Sequence, residues 1–133
     1  MENRINEGTL NRLLEIHRDD ADTAGIIQEA LLSFEKYHQA IYELEIRRLM
    51  YARGAMDAEA YREEAASLDQ IRTNRHNTVI SEIRLLNRLA EQSRLPLVYE
   101  GTVSEQHPYR THLADAVLAF VQQVTEDRAT GGR

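Results

Sequence analysis

A chain of 133 residues suits a single domain, which buries roughly two-thirds of the surface its unfolded form exposes. With 42% hydrophobic and 29% charged residues the composition is that of a globular body rather than a disordered one, and a net charge of −6 opposes broad nucleic-acid binding through phosphate neutralisation. The absence of cysteine excludes disulfides, thiolate metal ligands and a cysteine nucleophile. No apolar run approaches the ~20 residues of a membrane span, and Met1-Glu2-Asn3-Arg4 lacks a signal-peptide core, so a soluble cytoplasmic protein with no membrane contact is expected.

Two prolines and six glycines leave long uninterrupted segments, and the pattern reads all-α. A short first helix carries Leu10, Leu13, Leu14 and His17 on one face, with Thr9 as the expected N-cap. The caps and acids of "DDADTAG", Asp19 to Gly25, place a break there, although a helix running through it is also compatible with the pattern. From about 23 to 53, Ile27, Leu31, Phe34, Ile41, Leu44 and Leu49 recur at helical steps, and Gly54 stands where a glycine C-cap belongs. Asp57 then caps a third helix, 57–93, with room for a kink near Ser67. The "RGAMD" connection is short, so the second and third helices fold back as a long antiparallel hairpin, each arm about 45–55 Å at ~1.5 Å per residue.

"RLPLVYEGTVSEQHP", Arg94 to Pro108, has no helical period but is apolar enough to lie extended against the bundle. A closing helix over about 108–128 follows from Pro108 in the first turn and the stripe Tyr109, Leu113, Val117, Phe120 and Val124. Residues 129–133 read as a frayed tail of a single domain, 1–133. The short first and last helices do not cover the hairpin's full length, so either its tip protrudes or a second copy covers it; a homodimer is expected.

Toward the turn both hairpin arms lose apolar character. Taking Ile27, Leu31, Phe34, His38, Ile41, Glu45, Arg48 and Ala52 as one seam, and Leu68, Arg72, Arg75, Val79, Ile83, Leu86 and Ala90 as the other, antiparallel folding sets Glu45 level with Arg72 or Arg75, and Arg48 with Asp69. His76 flanks them. This polar interruption has three readings: exposed ion pairs at a thinning tip, a buried layer that selects register or oligomeric state, or a pocket in which Arg48, Arg72 and Arg75 fork onto a carboxylate or another anion. His38, Glu45, Arg48, Arg72, Arg75 and His76 are thus the ligand-binding candidates, and Tyr99, Glu100, His107, Tyr109 and Arg110 in the long connection are candidates for partner recognition.

Catalytic motifs are missing: there is no Gly-rich phosphate loop, no His-Glu-x-x-His and no Gly-x-Ser-x-Gly. "EKYH", Glu35 to His38, is one Glu-x-x-His, but a di-iron bundle needs two such motifs and two further inward glutamates. His112 and Asp115, like Glu82, could join a shell without completing that pattern, so neither a metal nor a cofactor is expected. Arg84 and Arg88 form a modest basic ridge diluted by Glu82 and Glu91, which does not favour nucleic acid.

"RRLMYARGAMDAEAYREEA" and "HNTVISEIRLLNRLAEQ", with "VYEG" and "HPYR" in the connection, resemble a family of small, all-helical bacterial proteins of unknown function. The resemblance covers most of the chain and implies a soluble helical protein; it carries over no catalytic residue. The leading expectation is a non-enzymatic interaction or assembly protein, dimeric, that binds a protein partner through the hairpin or the long connection. The alternative is a bundle that binds a small ligand or a metal through the polar cluster, with room there for catalysis.

Overall fold

The computed structural model describes residues 4–101, 103 and 112–131, and all regular structure among them is α-helical. Four helices follow in order: α1 (Glu7–Ile16), α2 (Ala21–Ala52), α3 (Ala58–Gln92) and α4 (His112–Gly131). The long helices α2 and α3 form the antiparallel hairpin, and α3 runs unbroken past Ser67. The chain does break after α1. Asp20 caps α2 by accepting from the Thr23 backbone N–H at 3.3 Å and from its hydroxyl at 2.6 Å, which satisfies groups a new helix start would otherwise orphan.

The cap of α1 is Asn6, not Thr9. The Asn6 side chain accepts from the Thr9 N–H at 3.0 Å, and Thr9 lies inside the first turn with its hydroxyl donating to the Pro96 carbonyl at 3.0 Å. The start of the connection after α3 is therefore tied to the α1 N-terminus at two points, since the Asn6 N–H also donates to the Val98 carbonyl at 2.8 Å. α4 reaches Gly131, three residues beyond the predicted end and into the segment read as a tail; residues 108–111, predicted to start it, lie outside the described residues.

Both hairpin helices end in the same six-residue closure, in which the residue after the C-cap turns left-handed. In α2 that residue is Gly54 (φ 77°), with Gly54 N–H donating to the Tyr51 carbonyl and Ala55 N–H to Met50. In α3 it is Arg94 (φ 59°), with Arg94 N–H donating to Glu91 and Leu95 N–H to Ala90. A side chain in this conformation costs about 1–2 kcal/mol through Cβ crowding, part of which glycine returns as extra freedom of the unfolded chain. Arg94→Gly is therefore expected to raise stability by about 0.5–1 kcal/mol, read as a higher urea midpoint with unchanged slope.

The core sits at the open end of the hairpin. Ile27, Phe34 and Tyr37 of α2 meet Val79, Ile83 and Leu86 of α3, closed by Leu10 and Leu13 of α1 and Leu113 and Val117 of α4. Phe34 and Phe120 pack edge to face with centroids 6.0 Å apart.

The connection after α3 is held by one side chain. Asn87 accepts from the backbone N–H of Val98 at 2.8 Å and of Tyr99 at 3.1 Å, and donates to the Tyr99 carbonyl at 2.9 Å. Val98 and Tyr99 thereby become core residues. Gly101 is required beside them, because a Cβ there would lie 2.6 Å from Cζ and 2.8 Å from Cε2 of the Tyr99 ring.

Candidate functional site

The last buried residue of α2 is Ala40 and the first of α3 is His76; none of the 35 residues from Ile41 to Arg75 is buried. The distal half of the hairpin is thus a two-helix arm projecting from a four-helix body. Its cohesion comes from half-buried contacts between α2 and α3. Tyr51 stacks on Tyr61 at 4.7 Å with ring planes 5° apart, and Arg47 bridges to Glu64 at 2.8 Å, with Glu43 at 3.8 Å on its own helix.

This arrangement turns the predicted seam by one position. The residues of α2 that face α3 are Tyr37, Ala40, Arg47 and Tyr51 rather than His38, Glu45 and Arg48. A one-residue step rotates a helix face by about 100°, enough to move Glu45 and Arg48 outward. They form an exposed pair on their own helix, with side chains 53% and 57% accessible. On α3, Arg72 turns back to Asp69 at 2.8 Å and to the Thr73 hydroxyl at 3.1 Å, and its side chain is only 13% exposed. Arg75 is exposed, whereas His76 is 4% exposed with its ring 5.7 Å from that of Tyr37. His38 is half-buried.

Of the six predicted ligand-binding residues, then, Arg72 and His76 come together at the foot of the arm, while Glu45 and Arg48 share its surface. The cross-helix bridge of Arg47 and Glu64 was not foreseen; its signal in the sequence was the four-residue step from Glu43 to Arg47, opposite a run of glutamates in α3. Among the recognition candidates, Tyr99 is packed in the core and Glu100 is exposed, and His107, Tyr109 and Arg110 lie outside the described residues.

Burial, and then the neighbouring Arg72 charge, hold the His76 imidazole below its ordinary range. The unfolded chain takes up a proton on this residue near pH 6.5, where the folded chain still resists it, so stability falls as pH drops through that value. The urea midpoint is expected to decline between pH 7 and pH 5.5, and His76→Gln to remove this residue's share of the decline. Burial also pushes the Glu82 carboxyl up, with Glu29 across the hairpin adding to the effect. The Tyr99 phenol is likewise raised, by burial and by the Asp115 carboxylate; its hydroxyl is buried with no hydrogen-bond partner among the described residues.

Away from the polar cluster, α1, α2 and α4 enclose a cleft of about 150 Å³. Leu10, Leu14, Leu31 and Phe120 line it, and Arg128 reaches Glu35 at 3.5 Å on its rim. Among the described residues no three His, Asp or Glu side chains are grouped to hold a metal ion, and no helix is long and apolar enough to cross a membrane.

The arm carries the exposed apolar side chains Tyr42, Leu49, Tyr51 and Ile71, at 54%, 45%, 44% and 44% of full exposure. Its charge is nearly balanced, seven acids against six arginines between Ile41 and Arg75. Tyr42 and Leu49 share one face of α2, while Tyr51 turns toward Tyr61 of α3. No curated protein and no solved structure matches the chain. Residues 2–129 match the family model described as Protein of unknown function (DUF3232), and the chain belongs to that family.

Proposed function

We propose that this chain is a non-enzymatic interaction or assembly protein, dimeric, with the projecting arm as its docking element. The observation that carries this reading is the run of 35 residues, Ile41 to Arg75, without one buried side chain. Helices in water owe most of their stability to an apolar face packed against something. Two long helices that meet only each other leave that face half used, and exposed Tyr42 and Leu49, which share one face of α2, support an interaction surface there. The polar cluster gives less support to a ligand site: Glu45, Arg48 and Arg75 are exposed, and none of its six residues lines the cleft between α1, α2 and α4.

Native mass spectrometry of the untagged chain, purified without chelator, tests this. The expected species is twice the 15.3 kDa chain with no added mass. A single chain carrying a stoichiometric metal or small molecule would replace this reading with that of a ligand-binding bundle.

A further inference from the structure

Tyr42, Ile46 and Leu49 recur at four- and three-residue steps and so share one face of α2. Ile46 is half-buried between the two exposed ends of this stripe. The same face nearer the start of α2 carries Leu31 and Glu35, and there α4 covers it through Phe120 and Arg128. The covered part ends near Glu35, and the exposed part begins at Tyr42.

The stripe is self-complementary. Two copies of α2 laid antiparallel about a two-fold axis beside Ile46 set Tyr42 of each against the partner's Leu49 and bring the two Ile46 side chains together. A two-fold of this kind places like flanks face to face. The flank bearing Glu45 and Arg48 then meets its own copy, so each Glu45 lies beside the partner's Arg48. The exposed pair these residues already form within one helix becomes half of a ring of four alternating charges. Parallel pairing would instead set this flank against the partner's opposite flank, leaving Glu45 and Arg48 apart from their own copies.

The long-range charge agrees. The arm is within one charge of neutral, while the rest of the chain has five more acids than bases. Antiparallel arms keep the acidic bodies at opposite ends, separated by the ~18 Å of Ile41 to Ala52, about twice the screening length of ~8 Å at physiological salt. We infer that a second copy of this chain covers the Tyr42–Leu49 stripe, in an antiparallel pairing of α2 with α2 centred on Ile46. This rests on the reading of the arm as a docking element and names its occupant.

Because the chain has no cysteine, single thiols report the geometry cleanly. Under mild oxidation Ile46→Cys should give covalent dimers. A mixture of Tyr42→Cys and Leu49→Cys should give the mixed dimer in excess over either self-dimer. Arg48→Glu should weaken association by about tenfold, and Glu45→Arg with Arg48→Glu should restore it. Tyr42→Cys self-dimers formed as readily as mixed ones would overturn the antiparallel arrangement. A native dimer that no thiol on this stripe can trap would overturn the choice of face while leaving the arm a docking element. A wild-type chain that stays monomeric at ~100 µM would overturn the second copy as its occupant.

Discussion

Phe34→Ala is expected to lower the unfolding free energy by about 3–5 kcal/mol, the range for emptying a fully buried aromatic site. Phe34 is completely buried where α2, α3 and α4 converge, and its ring packs edge to face on Phe120. The surrounding side chains belong to separate helices, so the cavity cannot close by moving one of them. Chemical denaturation followed by circular dichroism measures the loss; a decrease under ~1 kcal/mol would show that the site collapses on itself. Leu49→Ala, on the arm, should leave the stability of the isolated chain nearly unchanged, because Leu49 is 45% exposed. The contrast follows from where the core is, since both residues are apolar and both lie on α2.

The second large effect belongs to Asn87→Leu. This change strips the Val98 and Tyr99 N–H groups and the Tyr99 carbonyl of their shared partner. Leucine restores none of those bonds, and leaving buried backbone groups unsatisfied costs about 1–3 kcal/mol each, with incomplete additivity. A loss of about 2–4 kcal/mol is expected, together with faster proteolysis after α3 as Val98 and Tyr99 leave the core. Asn87→Asp should cost less only where its carboxyl is protonated, below about pH 4. One oxygen then still accepts from both N–H groups and the other can donate to the Tyr99 carbonyl, whereas the carboxylate sets two acceptors against each other there. Equal losses for the two variants below that pH would show that the bracket acts through packing alone.

The hairpin was legible because apolar residues at helical steps, the caps Asp20 and Asp57 and the glycine at position 54 all point to the same element ends. What misled was local competition. Asn6 and Thr9 can both cap α1, and Thr9 is drawn to the Pro96 carbonyl, a partner 87 residues away that local spacing cannot reveal. The seam of α2 could be traced through His38, Ile41 and Glu45 or through Tyr37, Ala40 and Arg47, since both rows are spaced like a helix face. The polar residues on each row gave no decision. It came from Tyr51 stacking on Tyr61 and Arg47 reaching Glu64, which are facts of the paired helices. Asn87 was overlooked because a polar residue within "LLNRLA" reads as surface, although Ile83, Asn87 and Ala90 share the core stripe. The left-handed Arg94 carries no sequence signal, because glycine would be the usual choice there.

Hydrogen exchange of the wild-type chain at two concentrations, one well below and one well above the association midpoint, tests the account most directly. Amides of residues 42–50 should gain protection at the higher concentration, while those of residues 79–90 in the core stay unchanged. Arm amides as protected as the core at every concentration would contradict an arm that lacks cover in the single chain.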